Sequence, residues 1–310
     1  MMKKLGLLFS VLALTLTMSA TGISAGALSG QCYVLVHGIL GFDDTNGLAN
    51  GLVKYWGGLD GYLRGQGAKV ATPGSSAAND LATRAGQIKS FLEGTSSNPG
   101  WRITNGCAKV HLIGHSQGGL VSRYLVKNLS YSSKVASVTS VNTPHKGSPV
   151  ADVVLAVIPS WLQPFVNVVL STFATIMYRD GRPQDVVAMG KSLTVSYCNT
   201  FNSSTPNVSG ISYYSYGSTM AWADLIQHPL MGITYPATWA GGLAYGQGSA
   251  NDGIVPESSQ KWGTWKGGPS TYWYATGIDH LEATNFEWWG QNYYDVNGYY
   301  LKIAKNAAGL

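Results

Sequence analysis

The stretch from Val110 to Leu120, Val-His-Leu-Ile-Gly-His-Ser-Gln-Gly-Gly-Leu, constrains the fold more than any other. It begins as an apolar run rich in β-branched residues, the pattern of a fully buried parallel strand. It continues as Leu120, Val121, Tyr124, Leu125 and Leu129, with Arg123 and Lys127 between them, the pattern of a helix with one apolar face. Between strand and helix stands Gly114-x-Ser116-x-Gly118. A sharp strand-to-helix turn leaves no space for side chains two residues either side of its centre. Glycine therefore flanks the serine, and the hydroxyl stands exposed at the helix N-terminus. The first backbone N–H groups of the helix lie where an oxyanion could form. In a chain with 39 glycines the pentapeptide alone is a weak signal. The strand before it and the helix after it make Ser116 a candidate nucleophile.

The rest of the chain repeats the alternation. Tyr33 to Val36 and Val135 to Val141 read as buried strands, and Lys69 to Thr72 and Ile211 to Tyr216 as further strands. A helix is expected from Leu48 to Arg64, and another after an Asn79 or Asp80 cap, with Leu81, Ala85, Ile88 and Leu92 on one face. Asn202 to Gly210 and Gly241 to Gly253 read as loops, Thr271 to Thr276 as a last strand, and Tyr293 to Ala307 as a closing helix. The order strand, helix, strand implies an α/β fold, a mostly parallel sheet flanked by helices. No linker or repeat divides it.

Residues 1–27 read as a secretory signal peptide. Lys3 and Lys4 form its positive end, Leu5 to Met18 its apolar stretch, and Ala25-Gly26-Ala27 a small-residue cleavage site. The expected product is one exported domain, 28–310. The net charge is +5, and loss of the two lysines leaves +3. No basic run exists, which argues against a nucleic-acid partner. Residues 150–178 are the most apolar internal segment. After Pro164, the residues Val166, Val169, Leu170, Phe173, Ile176 and Met177 share one helical face. Asp152, Pro159 and Pro164 argue against a membrane span. Pattern alone fits a core helix and a mobile lid equally well.

A serine hydroxyl needs a base to accept its proton and a carboxylate to orient that base. His280 follows the last expected strand and comes after Asp252, which sits on the tight turn Asn251-Asp252-Gly253. This gives the chain order Ser, Asp, His of an α/β-hydrolase arrangement. His145, at another strand end, is the second choice of base. The loop His37-Gly38-Ile39-Leu40-Gly41-Phe42 follows an earlier strand. Its Ile39 N–H and that of Gln117 are the candidate oxyanion donors. His37 then orients the loop, and Asp43 and Asp44 read as solvated loop residues.

Taken together, these motifs resemble the bacterial family I true lipases of Pseudomonas, Burkholderia and Proteus type. The resemblance lies in Leu35 to Phe42, Gly114 to Gly119, Arg123-Tyr124, Thr143 to Ser148 with Ala151-Asp152, Tyr213 to Ser215, Asn251 to Val255 and Asp279 to Glu282. It implies an α/β-hydrolase fold with a helical lid at 150–178, and a secreted serine lipase acting on triacylglycerol and other carboxylic esters through an acyl-enzyme. It assigns Ser116, Asp252 and His280 as the triad and Ile39 and Gln117 as oxyanion donors. The implied partner is a lipid or ester substrate at an oil–water interface, without stable membrane insertion. The need for a folding chaperone stays open. An esterase for short soluble esters is the runner-up, and an inactive binding protein on a hydrolase scaffold the alternative from another class.

Two expectations depart from that family. Its disulfide lies near the catalytic acid, but here no cysteine follows Asp252. Cys32 and Cys107 enter strands that this fold makes neighbours, so they are expected to pair, leaving Cys198 buried and free. Catalysis needs no cofactor. The family holds a structural calcium beside the base. Here its positions fall on Glu282 and on the carbonyls of Phe286 and Gly290, but His228-Pro229 stands where a second carboxylate is required, with Asp224 the nearest substitute. Calcium prefers oxygen donors. The expectation is a metal-free loop in which His228 and Glu282 meet directly.

Overall fold

The computed structural model describes residues 26–42, 53–94, 106–157, 160, 162–164, 167–168, 181–222, 228–285 and 293–310. The expected signal segment to residue 25, Asp43, Asp44, Asp224, Phe286, Gly290 and most of the expected lid face, Val166 and 169–178, lie outside them.

The strands are β1 (Cys32–Val36), β2 (Lys69–Ala71), β3 (Val110–His115), β4 (Val135–Val141), β5 (Ser212–Tyr216) and β6 (Thr264–Trp265). They form one sheet in the order β2-β1-β3-β4-β5-β6, every neighbouring pair parallel. The α-helices whose full spans are described are α1 (Leu59–Gly65), α2 (Leu81–Glu93), α3 (Gln117–Lys127), α4 (Pro149–Val157), α5 (Val186–Lys191), α6 (Val195–Ser204), α7 (Met231–Ala244), α8 (Glu257–Gln260) and α9 (Val296–Ala308). Alternation along β1 explains the two-faced core. Tyr33 and Leu35 pack with α1 and α9, through Leu59, Leu63, Tyr300 and Ile303. Val34 and Val36 pack on the other face with α2 and α3, through Leu81, Ile88, Leu120 and Leu125. Burying both faces is what a parallel sheet requires, and it is the α/β-hydrolase arrangement.

The α2 helix begins as its sequence suggests. The Asp80 carboxylate accepts from the Thr83 N–H at 2.7 Å, and Gly94 closes the far end in the left-handed region. Cys32 and Cys107 are bonded, and Cys198 is buried and free. The bridge joins residues 75 apart in sequence. In the chain-entropy model such a loop stabilises the fold by about 4 kcal/mol.

Four local expectations are corrected. Of the helix expected over Leu48 to Arg64, residues 48–52 lie outside the described ones, and in the rest it forms over Leu59–Gly65, because Gly57 and Gly58 both take positive φ immediately before it. The loop expected from Asn202 begins inside α6. Ser and Thr hydroxyls there bond back to carbonyls one turn earlier, as Ser203 does to Asn199 and Ser204 to Thr200, so a polar run is accommodated in a helix. Gly241 to Ala244 close α7 instead of opening a loop. A Cβ on Gly241 would lie 2.3 Å from that of Pro149, so the glycine lets α7 approach α4. Finally, Thr271 to Thr276 form no strand. Within this run Thr271 alone makes a bridge, an isolated antiparallel one to Tyr294. Tyr272 and Tyr274 stack on each other instead, and Trp273 is exposed.

Candidate active site

The loop after β1, the Asp252 turn between α7 and α8 and the His280 loop after β6 meet at Ser116, which follows β3. The serine sits between β3 and α3 at φ 54°, ψ −132°, a region that L residues rarely occupy. The turn is possible because its flanks are bare. A Cβ on Gly114 would lie 2.5 Å from the Gly118 carbonyl carbon, and one on Gly118 would lie 2.1 Å from the Val36 carbonyl oxygen. Ser116 Oγ is 2.9 Å from His280 Nε2, and His280 Nδ1 is 2.8 Å from Asp252 Oδ2. The His280 backbone N–H also donates to the Asp252 carbonyl at 2.8 Å, so acid and base are tied twice. Asp252 is fully buried and fully engaged. Its Oδ1 accepts from the N–H groups of Ile254 and Val255, and its Oδ2 from Asn142 Nδ2 at 2.7 Å. The arrangement orients the imidazole to accept a proton from the hydroxyl.

The loop after β1 supplies the facing wall. Arg84, on the buried face of α2, donates to the carbonyls of His37 (2.7 Å) and Gly38 (3.0 Å), to Ser75 Oγ and to Gln117 Oε1. A peptide's N–H points opposite its C=O. Holding the Gly38 carbonyl against Arg84 therefore turns the Ile39 N–H away from α2, towards the pocket that Ile39 and Ser116 both line. Among the described residues the N–H groups of Ile39 and Gln117 meet no acceptor. That leaves both N–H groups available to an oxyanion. A Cβ on Gly38 would come 2.7 Å from Ser116 Cβ, so the loop approaches the serine at van der Waals range.

Burial sets the charges around this wall. Arg84 is completely buried, which pulls its guanidinium down to about 10. His37 is held well below the ordinary imidazole range, first by burial and then by Arg84. It is neutral, and its Nε2 accepts from the Ser75 N–H at 3.0 Å. His145 is likewise held low by burial and then by Arg123. It is not brought to Ser116. Its Nε2 meets Ser140 Oγ, its ring stacks on Trp262, and its Nδ1 faces Arg123.

An apolar cavity of about 200 Å³ opens from Ser116. Pro144, Val154, Leu155, Val187, Leu193 and Val255 are among its walls, so α4, α5 and the turn after Asp252 contribute together. Its size and lining suit an alkyl or acyl chain, not a charged group.

Beside the base, His228, Asp279 and Glu282 form a buried cluster whose donor atoms lie within 4.8 Å of one another and could coordinate a metal ion. The expected meeting of His228 with Glu282 is corrected. His228 Nδ1 bonds Asp279 Oδ2 at 2.5 Å, and Glu282 Oε2 accepts from the Asp279 N–H at 2.7 Å. Asp279 Oδ1 in turn accepts from the N–H groups of Leu281 and Glu282. Calcium fits this set poorly. One donor is a nitrogen, and two ligands on one calcium stand roughly 3 Å or more apart, wider than the His228–Asp279 contact. Asp224, Phe286 and Gly290 lie outside the described residues.

Arg84, Asn142 and Tyr55 are site residues that the sequence analysis missed. Arg84 had a signal: it falls on the same helical face as Leu81 and Ile88, where a lone cation must have buried partners. Asn142 and Tyr55 had none.

Residues 104–176 match the α/β hydrolase fold family. A triacylglycerol lipase of Vibrio cholerae is 33% identical over 279 residues, covering 80% of this chain and 82% of that one. A triacylglycerol lipase of Burkholderia plantarii is 31% identical over 204 residues, covering 63% of this chain and 54% of that one. Among solved structures, the Staphylococcus hyicus lipase superposes with a TM-score of 0.66 at 18% identity, over 91% of this chain and 96% of that one. A metagenomic carboxyl esterase gives 0.65, also at 18%, over 92% and 77%. These two likenesses are of fold.

Proposed function

The chain belongs to the α/β-hydrolase lipases and esterases and is an ester hydrolase of that family; from this premise we propose that it is a secreted serine lipase of the family I kind, cleaving triacylglycerols through an acyl-enzyme. The observation that carries the reading is the Ser116–His280–Asp252 chain at the mouth of an apolar cavity. In this mechanism His280 Nε2 takes the Ser116 proton as Oγ attacks the ester carbonyl. The N–H groups of Ile39 and Gln117 hold the resulting oxyanion. His280 then protonates the departing alcohol, leaving the acyl group on Ser116, and a water activated by the same imidazole releases the fatty acid. Asp252 holds the imidazole with Nδ1 protonated. No metal takes part in these steps.

Other features support the finer parts of the reading. The apolar cavity favours an acyl chain. On α4, Val153, Val154 and Val157 are exposed while the Asp152 carboxylate turns inward to the Val195 N–H, which suits a helix at a lid that meets lipid. The Cys32–Cys107 bond suits export. Leu28, directly after the expected cleavage site, is fully buried and so fits a domain of 28–310. Among the described residues no helix is long and apolar enough to cross a membrane.

The test is hydrolysis of an emulsified long-chain triacylglycerol and of a short soluble ester. The wild-type chain should cleave both, and Ser116→Ala and His280→Ala neither, with melting temperatures unchanged. Cleavage of the soluble ester alone would point to an esterase. Undiminished turnover in His280→Ala would overturn the triad.

A further inference from the structure

His115, the residue before Ser116, lies between the base and the oxyanion loop. Its ring packs against that of His280, centroids 4.8 Å apart. Its Nε2 is 2.9 Å from the His280 carbonyl oxygen, and its Nδ1 is 2.6 Å from Tyr55 Oη. The same phenol oxygen lies 2.9 Å from the Gly38 backbone nitrogen.

The chemistry of the partners fixes every hydrogen. A carbonyl only accepts, so His115 Nε2 carries a proton and donates it. A backbone N–H only donates, so Tyr55 Oη accepts from Gly38. A neutral ring with its proton on Nε2 has a lone pair on Nδ1, so the phenol donates across the 2.6 Å contact. Burial, and secondly the neighbouring His280, hold His115 well below the ordinary imidazole range, in keeping with a neutral ring. The result is one directed chain: Gly38 N–H to Tyr55, Tyr55 O–H to His115, His115 N–H to the His280 carbonyl.

We propose that Tyr55 and His115 are positioning residues that lock the oxyanion loop and the catalytic base to each other through this chain. The proposal rests on Ser116 being the nucleophile, as argued above. The His37–Gly38 peptide is held from both sides, its carbonyl by Arg84 and its N–H by Tyr55. The next peptide carries the Ile39 N–H, so Tyr55 fixes where that donor points. At the other end, His115 holds the His280 carbonyl while the His280 N–H is tied to Asp252. Neither Tyr55 nor His115 needs to touch substrate. Their effect is that donor and base keep their separation as charge shifts from Oγ to the oxyanion. A misplacement of about 1 Å at either end is enough to slow such a reaction on the order of a hundredfold.

Tyr55→Phe removes only the hydroxyl, so the ring contacts to Phe42, Trp56 and His115 stay. His115→Phe keeps a ring against His280 but removes both ring nitrogens, and with them the donor for the His280 carbonyl and the acceptor for Tyr55. On a soluble short-chain ester, each should lower kcat about tenfold to a hundredfold with KM within about twofold of wild type. Each should weaken binding of a reversible tetrahedral analogue, a short alkyl boronic acid, by a similar factor. The double variant should be no slower than the slower single, because both break one chain. Wild-type kcat in Tyr55→Phe would overturn the proposal. So would independent losses that multiply in the double variant, or a loss confined to KM. If both singles melt early, kcat is read at a temperature where each is fully folded by circular dichroism, and the same criteria apply. Ser116→Ala is run alongside: residual hydrolysis there would refute the nucleophile itself, a failure distinct from that of the relay.

Discussion

At His228 a single residue type changes the chemistry beside the base. A carboxylate there would face Asp279 and Glu282 and make an all-oxygen, highly anionic cage that needs a cation. The imidazole instead supplies a hydrogen-bonding nitrogen to Asp279, next in sequence to His280. The loop bearing His280 is further held by Tyr294 Oη on the Glu282 carbonyl and Tyr300 Oη on that of Ala283. Chelation with EDTA should therefore leave both the melting temperature and ester hydrolysis of the wild-type chain unchanged. His228→Asp should lower the melting temperature and make it rise again when calcium is added. A wild-type chain that loses stability in EDTA and regains it with calcium would show that an ion belongs in this cluster.

The elements around the cavity divide the work between chemistry and substrate. The β3–α3 turn, the β1 loop and the Asp252 turn hold polar groups, whereas α4 and α5 give apolar wall. Val154 is half-exposed and also lines the cavity, so it stands where an acyl chain enters. Val154→Asp puts a charge in that path without removing any group of the Ser116–His280–Asp252 chain. Hydrolysis of a long-chain ester emulsion should fall about tenfold or more, since desolvating a carboxylate against an alkyl chain costs a few kcal/mol, while a short soluble ester should change by less than about twofold. Equal losses on both substrates would mean that α4 acts only as core packing. The α7 helix, which packs against α4 through Gly241, also leaves Ile233 and Leu243 exposed, extending the apolar rim.

The whole molecule stores pH sensitivity in its interior. His37, His115 and His145 are all buried and all held well below the ordinary range. In the unfolded chain each titrates near 6.5. Below that pH the unfolded state binds protons that the folded state refuses. The stability linked to these residues is thus full above about pH 6.5 and is lost as pH falls, with a limiting slope of about 4 kcal/mol per pH unit for the three together. Urea midpoints measured at pH 7.5, 6 and 5 should drop steeply between the last two. A flat series would mean that these rings take up protons without unfolding the chain.

The turn at Ser116, the strand on either side of the core and the order Ser, Asp, His were legible in the sequence because they are local. Glycines two residues either side of a strained serine, period-two alternation in β1 and a run of apolar residues at helical spacing each leave a mark within a few positions. The Cys32–Cys107 pairing was legible one step later, once the strand order was inferred. What lay beyond reach depends on contacts between distant parts of the chain. The C-terminal end of α7 reads as a loop because of Gly241 and Gly242, and it is helical because α4 and the Asp252 turn accept it at close range, Gly241 facing Pro149 and Thr238 Oγ1 donating to the Gly253 carbonyl at 3.1 Å. The aromatic run at Tyr272 looks like a strand, yet its rings pack on one another and Tyr274 meets Tyr293 instead of a sheet neighbour. His228 pairs with Asp279, 51 residues away, a partner that only the folded loop brings to it. The Tyr55–His115 chain joins residues 60 apart, and Tyr55 carries no periodic signal at all. The sequence by itself determined which groups can do the chemistry. Only the tertiary structure decided which buried donors and acceptors hold them, because a buried polar group must be satisfied by whatever the packing brings within about 3 Å.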